Sequence, residues 1–365
     1  MRTIRYWITV WVQEVQGWPV CVAIDGLSVS NSIISITRLP KAVWIGSTFK
    51  YNLDHKYSDS VSNKALNKSK NTANNDEFYT YYNDIALEVD NYASQLKGKH
   101  VYCNCDNPYL SQFVLYFIRN FKKFGLKSLT STCINNPHGL YFHVTDIPQS
   151  IIDGNSLDIM MWTKKHTVEL NGNGGFQTPE CQQILKTCDV VITNPPFSLF
   201  RDWYDLVKSA GKNYLVLANM NTCLSANISA DIVDGKARFG CATTNRVYYF
   251  WRTSPTSTDR LKIGYICWLT NMKTVVKPFI PTVKRSISDY TTYDGTMVIK
   301  VPKLAQIPAG YKGVMGVPIT FLFKHNPAQF KIVGFASHGK DNKYDMFSPH
   351  INGKEQYKAI LIKYA

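Results

Sequence analysis

The segment Asn194-Pro195-Pro196-Phe197 brings together groups that could perform chemistry. The Asn194 side chain offers one acceptor and two donors. Because Pro196 has no backbone N–H, the Pro195 carbonyl is left available as a second acceptor. Two acceptors aimed at one point suit an exocyclic amino group, because they draw its nitrogen toward tetrahedral geometry and expose its lone pair to an electrophile. Phe197 adds a face on which a planar base can stack, a contact worth roughly 1–3 kcal/mol.

The same four residues have a plainer interpretation as a stiff turn, with Phe197 in the core. Two consecutive prolines remove two backbone donors and fix two φ angles. Here, however, the segment ends an apolar run, Val190–Thr193, and precedes a helical pattern that begins at Ser198. Ligands of open α/β sheets bind just outside the carboxyl ends of the strands. The position therefore favours a binding site over a simple turn.

The elements around this segment alternate between helix and strand patterns. Helices are predicted over 76–96, 109–125, 178–188 and 198–210, from apolar faces at helical spacing or capping residues. Strands are predicted within 99–108, 127–135, 163–170, 189–193 and 213–220. This alternation with short connections predicts an α/β fold with a doubly wound layer. After about residue 235, short apolar segments separated by Gly, Pro and Asn predict a mainly β region.

Positive charge is concentrated in this C-terminal region. Residues 236–365 hold 20 Lys and Arg against 6 Asp and Glu, which is about +14 of the chain's net charge of +15. Such an asymmetry favours a nucleic-acid partner, although a solvated basic face that aids solubility would also produce it. Arg and Lys neutralise phosphates, and Arg also reads guanine edges. The candidate contacts are Arg246, Arg252, Lys262, Lys273, Lys284 and Arg285.

The remaining composition predicts a globular cytoplasmic protein. Hydrophobic residues make up 45% and charged residues 18%, so most of the chain should bury a core. Nine cysteines scattered through apolar runs suit reduced thiols. Cys103 and Cys105 form a tight pair, but no second pair or nearby His completes a zinc set, so no metal is expected. No apolar run is long enough to cross a bilayer, and neither a signal peptide nor a membrane partner is expected.

Asn, Asp or Ser, followed by Pro-Pro and an aromatic residue after an apolar strand, resembles the signature of amino-group methyltransferases that use S-adenosylmethionine. More specifically, four blocks in order resemble the EcoRI-type adenine-specific DNA methyltransferase family. The blocks are NDEFYT (75–80), GKHVYCNCDNPYLSQF (98–113), CDVVITNPPFSLF (188–200) and GVMGVPITFLFKHNPAQFKIVG (313–334). The resemblance covers about residues 63–335. It implies an S-adenosylmethionine-dependent enzyme that methylates the N6 amine of an adenine flipped out of double-stranded DNA.

The resemblance also implies a division of the chain. Residues 1–62 would be an N-terminal extension of unknown role, and 63–235 a Rossmann-like, doubly wound catalytic domain. Residues 236–365 would be a mainly β, basic region that recognises the DNA target. A cognate restriction endonuclease is a further partner compatible with this family. Asn194, Pro195, Pro196 and Phe197 would form the catalytic tetrad.

Eight residues are implied to contact the cofactor, in four groups along the sequence. They are Tyr79 and Thr80 near its methionine moiety, Cys103, Asn104, Asp106 and Pro108 in the first cofactor loop, Asn135 at the ribose, and Phe176 at the adenine. Two of them have structural alternatives: Asp106 could stabilise a turn, and Thr80 could cap a helix. The loop lacks the usual glycines, and Asn135 replaces the usual ribose-binding acid.

Two other functions remain open from the sequence. The same tetrad serves enzymes that methylate RNA adenine or a protein amide. A catalytically inactive DNA-binding relative is also compatible with the altered cofactor turns. The intact segment from Asn194 to Phe197 argues against this last alternative.

Overall fold

The computed structural model describes residues 78–242, 248–251, 260–337 and 345–365. The predicted N-terminal extension, 1–62, lies outside the described residues, as do the candidate nucleic-acid contacts Arg246 and Arg252. Among the helices described, none has the length and apolarity required to cross a membrane.

Strands and short helices alternate along the chain. The strands are β1 (Tyr79–Thr80), β2 (His100–Cys103), β3 (Ser128–Cys133), β4 (Leu140–Val144), β5 (Thr167–Glu169), β6 (Val190–Thr193), β7 (Asn213–Asn219), β8 (Arg238–Phe239), β9 (Tyr248–Trp251), β10 (Arg260–Ile263), β11 (Ile266–Thr270), β12 (Ile299–Lys300), β13 (Met315–Val317), β14 (Phe330–Ala336), β15 (Asp345–Phe347), β16 (His350–Ile351), β17 (Lys354–Glu355) and β18 (Ala359–Tyr364). The α-helices are α1 (Tyr82–Val89), α2 (Ala93–Leu96), α3 (Gln112–Phe124), α4 (Gln149–Ile152), α5 (Ser156–Lys165), α6 (Pro179–Thr187), α7 (Phe200–Ser209) and α8 (Ala226–Val233).

Eight strands form a mixed sheet in the order β5-β4-β3-β2-β6-β7-β11-β8. Its central strands β3, β2, β6 and β7 are parallel, and the outer strands are antiparallel to their neighbours. From β2 the chain first builds outward on one side and later returns to place β6 on the other side. The strand order therefore reverses between β2 and β6. In α/β sheets, the crevice at the carboxyl ends of two such strands is the usual ligand site.

Helices cover both faces of this sheet. Successive strand residues point to opposite sides, so each strand contributes side chains to two buried clusters. Tyr102 of β2 belongs to a buried cluster with residues of α6, α7 and α8. Its neighbours Val101 and Cys103 belong to a second cluster with residues of α1, α3 and α5. The prediction of a mixed α/β fold is therefore confirmed. Burial on both sides also explains why the parallel strands β6 and β7 are largely apolar runs in the sequence.

Local sequence signals define several helix ends as predicted. Helix α3 ends at Gly125, which has a φ of 59°, a left-handed conformation that glycine adopts easily. Helix α6 begins with Pro179, and the Thr178 hydroxyl accepts a hydrogen bond from the Cys181 amide at 3.3 Å. The single helix predicted over 76–96 is partly wrong, because Tyr79–Thr80 form β1 and the helical part is divided into α1, a 3₁₀ turn and α2. The four residues of its predicted apolar face are nevertheless fully buried.

The strand predicted over residues 163–170 is partly wrong. Residues up to Lys165 belong to α5, and only Thr167–Glu169 form a strand. The Asn155 side chain caps α5 by accepting from two backbone amides, and Asp158 accepts from the Asn155 amide in return. This capping box nucleates a helix that extends into the predicted strand.

The described residues after 235 contribute to four sheets, one of which is the two-stranded pair β16-β17. Strands β8 and β11 complete the eight-stranded sheet, whereas β9 and β10 form a three-stranded sheet with β1. Strands β12-β13-β18-β14-β15 form a five-stranded sheet that shares one buried core with α7 and α8. The domain boundary between residues 235 and 236 stays a prediction.

A buried carboxylate connects α1 to the segment after β8. Glu88 accepts hydrogen bonds from the Tyr92 hydroxyl at 2.7 Å and from the Cys241 and Ala242 amides at 2.6 Å each. Lys277 is also buried and donates to the Cys241 carbonyl at 2.8 Å. Burial raises the pKa of Glu88 and lowers the pKa of Lys277. The three donors to one carboxylate offset part of this desolvation cost.

Glu88→Gln should destabilise the fold. Three donors converge on the carboxylate, and a Gln amide would turn its own donor toward one of them, at a cost of about 1–3 kcal/mol. Urea unfolding at pH 7 would measure this loss of unfolding free energy. The matched control is Glu169→Gln, at an exposed position of β5, where a change within about 0.5 kcal/mol is expected. Equal stability of the two variants would contradict the role assigned to Glu88.

Candidate active site at the carboxyl edge of the sheet

Asn194 directly follows β6, where the strand order reverses. Its Nδ2 donates to the Phe78 carbonyl at 2.7 Å, which fixes the orientation of the side-chain amide. Its Oδ1 is then buried without a hydrogen-bond partner among the described residues. Leaving a buried acceptor unpaired costs about 1–3 kcal/mol. The arrangement is suited to a donor that comes from a bound molecule.

The two prolines form a stiff corner between β6 and α7. Pro195 is buried, and Pro196 is half-buried. The Pro196 carbonyl accepts from the Leu199 amide at 3.1 Å, and the 3₁₀ turn Phe197–Leu199 leads directly into α7. Asn194 is thereby held between a buried strand and a helix whose apolar face packs on the core, and such elements position a side chain more accurately than a free loop does.

Phe197 packs against two other phenylalanines at the edge of the core. Its ring centroid lies 6.1 Å from that of Phe78 and 6.4 Å from that of Phe250. Phe250 is fully buried, whereas Phe197 is only half-buried. Phe197 therefore contacts the core, as its plainer interpretation predicts, but remains partly accessible; stacking on a base stays a prediction.

Sequence reasoning missed the contacts that reach the tetrad from Phe78, immediately before β1, and from β9. Phe78 lies 116 positions before Asn194, and Phe250 lies on β9, which pairs with β1 through Thr80. The NDEFYT block contained Phe78, so its resemblance to the family was an available signal. A bond to a backbone carbonyl, however, has no signature in the side-chain types.

Thr80 presents a second buried polar atom at this edge. It is 3% exposed, and its Oγ1 has no hydrogen-bond partner among the described residues. Two positions along an extended strand separate it from Phe78, a distance of roughly 7 Å. The alternative role of Thr80 as a helix cap is wrong, because Tyr81 occupies the cap position of α1. Its neighbour Tyr79 pairs with Trp251 of β9.

The predicted cofactor loop follows β2 at the same edge of the sheet. Cys103 is fully buried, and this burial raises the pKa of its thiol well above the usual range. Asn104 is 2% exposed, and its Oδ1 accepts from Trp203 Nε1 at 2.9 Å. Pro108 is also buried. The loop therefore packs tightly into the core, and Asn104 directs its side-chain oxygen at a protein partner.

Asp106 lies between the cofactor loop and β6. Its carboxylate accepts hydrogen bonds from the Ser111 and Thr193 hydroxyls, at 2.6 Å each. Its backbone amide donates to the Thr132 carbonyl at 3.0 Å. Asp106 therefore does more than stabilise a local turn, because its bond to Thr193 spans 87 positions of sequence.

The two parts of the predicted nucleoside site meet at the carboxyl end of β3. The Asn135 amide donates to the Asn173 carbonyl at 3.0 Å. A Cβ added to Gly139 would lie 2.3 Å from the Gly174 Cα, so the two backbones pack too closely for a larger residue. Phe176 follows in the same turn and is 5% exposed. The fold thus brings Asn135 and the turn before α6 together.

Comparison with known proteins shows the family of this chain. The family described as "Adenine-specific methyltransferase EcoRI" matches residues 65–364. The chain belongs to this family. Family membership and the predicted activity, adenine-specific methyl transfer, are therefore confirmed.

Three curated relatives match most of the methyltransferase chain. Type II methyltransferase M.EcoRI of Escherichia coli is 34% identical, covering 83% of this chain and 97% of that protein. Type II methyltransferase M.MgeORF184P of Mycoplasma genitalium is 33% identical, with coverage of 82% and 98%. Type II methyltransferase M.MpnI of Mycoplasma pneumoniae is 32% identical, with coverage of 82% and 97%. No solved structure matches the chain significantly.

The candidate nucleic-acid contacts of the methyltransferase lie in different places. Lys284 and Arg285 are exposed after β11, and Lys262 is half-buried on β10. Lys273 follows the end of β11, which runs antiparallel to β7. Lys273 therefore lies near the amino edge of the parallel strands, opposite Asn194, and its position gives no support to a contact with DNA at the active site.

A cleft of about 1010 Å³ lies between the carboxyl end of β7 and residues of the five-stranded sheet. On one side lies Tyr265, which is 58% exposed and has a φ of 61°, a conformation that non-glycine residues rarely adopt. Its carbonyl accepts from the Met220 amide at 2.7 Å, just beyond β7. Tyr357 and Lys358 line the other side. The cleft therefore opens at the same edge of the sheet as Asn194.

Metal-ligating side chains are not clustered in the part of the chain that the structure describes. No group of three or more His, Cys, Asp and Glu residues there could hold a metal ion.

Proposed function

We propose that this chain transfers a methyl group from S-adenosylmethionine to the N6 amine of an adenine at a specific site in double-stranded DNA. One observation carries the proposal: Asn194 Oδ1 is buried, oriented by the Phe78 carbonyl and unpaired among the described residues. The adenine amine would supply the missing donor. Identity of 32–34% to type II methyltransferases supports DNA as the substrate.

The tetrad would act by holding the amine in a reactive geometry. Asn194 Oδ1 and the Pro195 carbonyl accept its two hydrogens, and Phe197 stacks on the ring. Because these acceptors are fixed before the reaction, they need no reorganisation as the nitrogen becomes tetrahedral. An adenine inside a duplex cannot reach them, so it must first leave the helix. No general base is required before attack, since the amine proton can leave to solvent after the N–C bond has formed.

The crevice between β2 and β6 fits the cofactor, which supplies an electrophilic methyl group when bound. The observation that supports this fit is the buried hydroxyl of Thr80, which lacks a partner among the described residues. Tyr79, Thr80 and the loop Cys103–Pro108 would hold the methionine end. Asn135 and Phe176 would hold the nucleoside end at β3. This assignment corresponds to a Rossmann-like, doubly wound cofactor site.

Thr80→Val should stabilise the free enzyme but weaken its binding of the cofactor. Removing an unpaired buried hydroxyl should raise the melting temperature of the free enzyme, whereas loss of one hydrogen bond should weaken cofactor binding about 2- to 10-fold. Thermal melting and calorimetry with S-adenosylmethionine would measure both. The matched control is Thr130→Val, because the Thr130 hydroxyl is paired with His143 at 2.9 Å. The control should lose stability and bind the cofactor normally. Unchanged affinity in Thr80→Val would remove Thr80 from the cofactor site.

The duplex would occupy the cleft at the carboxyl end of β7, with 63–235 as the catalytic domain and 236–365 as the recognition region. The cleft opens at the edge that carries Asn194, and Tyr265 stands exposed at its side in a strained conformation. Strain of this kind is retained most often at functional sites. The charge of about +14 in residues 236–365 would neutralise DNA phosphates.

DNA affinity should fall steeply with salt. If about five phosphates are neutralised, the logarithm of the binding constant should fall with the logarithm of salt concentration with a slope near −4 to −5. Lys284→Gln should reduce the magnitude of this slope by about 1. Lys273→Gln, on the opposite edge, is the matched control and should not alter it. A slope near zero for the parent protein would refute binding of DNA by this region.

Asn194→Ala should slow methyl transfer by about 10²-fold or more, because it removes a preorganised acceptor. Cofactor affinity should change little. Single-turnover transfer from tritiated cofactor to a duplex would test this, with RNA and protein acceptors assayed in parallel. Asn120→Ala is the control, since Asn120 also donates to a backbone carbonyl, that of Tyr116, but within α3. Full activity in Asn194→Ala would refute the mechanism, and transfer to RNA or protein alone would refute the proposed substrate.

Phe197 should contribute to capture of the flipped base more than to folding. Phe197→Leu retains apolar contact with the core but removes the stacking face, so capture should weaken by roughly 1–3 kcal/mol. The melting temperature should change little. A fluorescent adenine analogue at the target position would report capture, with duplex binding measured separately. Normal capture accompanied by lower stability would assign Phe197 to the core alone.

A further inference from the structure

Two buried hydrogen bonds connect the loop after β2 to residues on both sides of the tetrad. Asp106 accepts from the Thr193 hydroxyl at 2.6 Å, immediately before Asn194. Asn104 accepts from Trp203 Nε1 at 2.9 Å, on the helix that follows the tetrad. Thr193 and Trp203 are fully buried, and Asn104 and Asp106 are 2% and 7% exposed. One loop therefore holds the segment that precedes the tetrad and the segment that follows it.

The hydrogen bond between Asp106 and Thr193 lies beyond the end of the backbone pairing between β2 and β6. Strands β2 and β6 pair through Val101 with Val190 and through Tyr102 with Val191, and the pairing stops there. Thr193 lies two positions beyond Val191, the last residue of β6 that pairs with β2. The carboxylate of Asp106 bonds to Thr193 at this position.

Three further hydrogen bonds hold Asp106 in place, so its bond to Thr193 fixes the position of Thr193 relative to the loop. Its other carboxylate oxygen accepts from the Ser111 hydroxyl at 2.6 Å, at the cap of α3. Its amide donates to the Thr132 carbonyl at 3.0 Å, and its carbonyl accepts from the Ser131 hydroxyl at 2.5 Å. The side chain and the backbone of one residue are thus bonded to β3, α3 and β6 together.

We propose that Asn104 and Asp106 are positioning residues that set the location of the tetrad relative to the cofactor loop. The inference rests on the proposed function, because it concerns the alignment of the target amine with the methyl donor. A single loop would then contact the cofactor through its backbone and hold the tetrad through its side chains. Such a connection matters because a displacement of about 1 Å between reacting groups can cost 10²-fold in rate.

If the Asp106 side chain instead bound the cofactor directly, a different effect of removing the Thr193 hydroxyl would be expected. In that case, removing the Thr193 hydroxyl would affect mainly cofactor affinity or nothing at all. If Asp106 positions the tetrad, the same change would slow the transfer step while the cofactor binds normally. Cofactor affinity and the single-turnover rate at saturating cofactor and duplex therefore separate the two roles.

Thr193→Val should slow single-turnover methyl transfer about 10-fold or more, since it removes the bond but preserves the shape of the side chain. The dissociation constant for S-adenosylmethionine should stay within about 3-fold of the parent value, a change smaller than loss of a direct ligand would cause. Thr193→Ser keeps the hydroxyl and should restore the rate. Thr130→Val, a buried threonine of the same sheet with its hydroxyl bonded to His143, should transfer at the parent rate.

A second pair of variants tests the other side of the tetrad and does not depend on the folding of Thr193→Val. Trp203→Phe removes the donor to Asn104 but keeps an aromatic ring, and the rate should fall about 5-fold or more. Trp268→Phe is the matched control. Trp268 is also buried, but its Nε1 has no partner among the described residues, so the same substitution should leave the rate unchanged.

Each outcome of the experiment has a defined meaning. Parent-like transfer rates in both Thr193→Val and Trp203→Phe would overturn the inference and leave the proposed function standing. Loss of cofactor affinity with a normal rate at saturation would also overturn it, because Asp106 would then act on the cofactor. An inactive parent enzyme would overturn the proposed function and this inference together. Slow transfer with normal affinity, restored by Thr193→Ser, would support it.

Discussion

The reversal of strand order between β2 and β6 is the constraint on which the site depends. In open α/β sheets, ligands bind in the crevice at the carboxyl ends of the two strands between which the order reverses. In this protein the backbone pairing of β2 with β6 ends at Val191, and the Asp106–Thr193 bond continues the connection to the edge of Asn194. Thr193, the residue immediately before Asn194, is therefore held by a buried side-chain hydrogen bond although it lies beyond the last backbone pair of the two strands.

The polar atoms at this edge divide into two groups with different roles. Those of Asp106 and Asn104 are bonded within the protein and make the edge rigid. The side-chain oxygens of Thr80 and Asn194 are buried and unpaired among the described residues, so they are unfavourable for folding. Such a combination is characteristic of a preorganised site, in which stability is lost at the atoms that will contact ligands.

The basic residues of the C-terminal region lie in different environments in the folded protein. The excess of about +14 predicts a polyanionic partner, but individual basic residues differ in where the fold carries them. Lys277 is buried and donates to the Cys241 carbonyl, and Lys273 lies on the edge opposite Asn194. Lys284 and Arg285 remain exposed. A count of charges therefore identifies the class of partner, whereas the residues in contact depend on the tertiary arrangement.

The sequence by itself determined the features that depend on neighbouring residues. Gly125 and the Thr178-Pro179 pair define helix ends, apolar spacing defines the buried faces, and the tetrad with its companion blocks identifies the family. Only the tertiary structure decided which atoms meet: the Phe78 carbonyl with Asn194, 116 positions away, and Asp106 with Thr193, 87 positions away. Local conformation follows from residue type and short-range spacing, but such pairings follow from strand order, register and loop packing. These depend on the whole chain at once, so residue types and spacing could not reveal them.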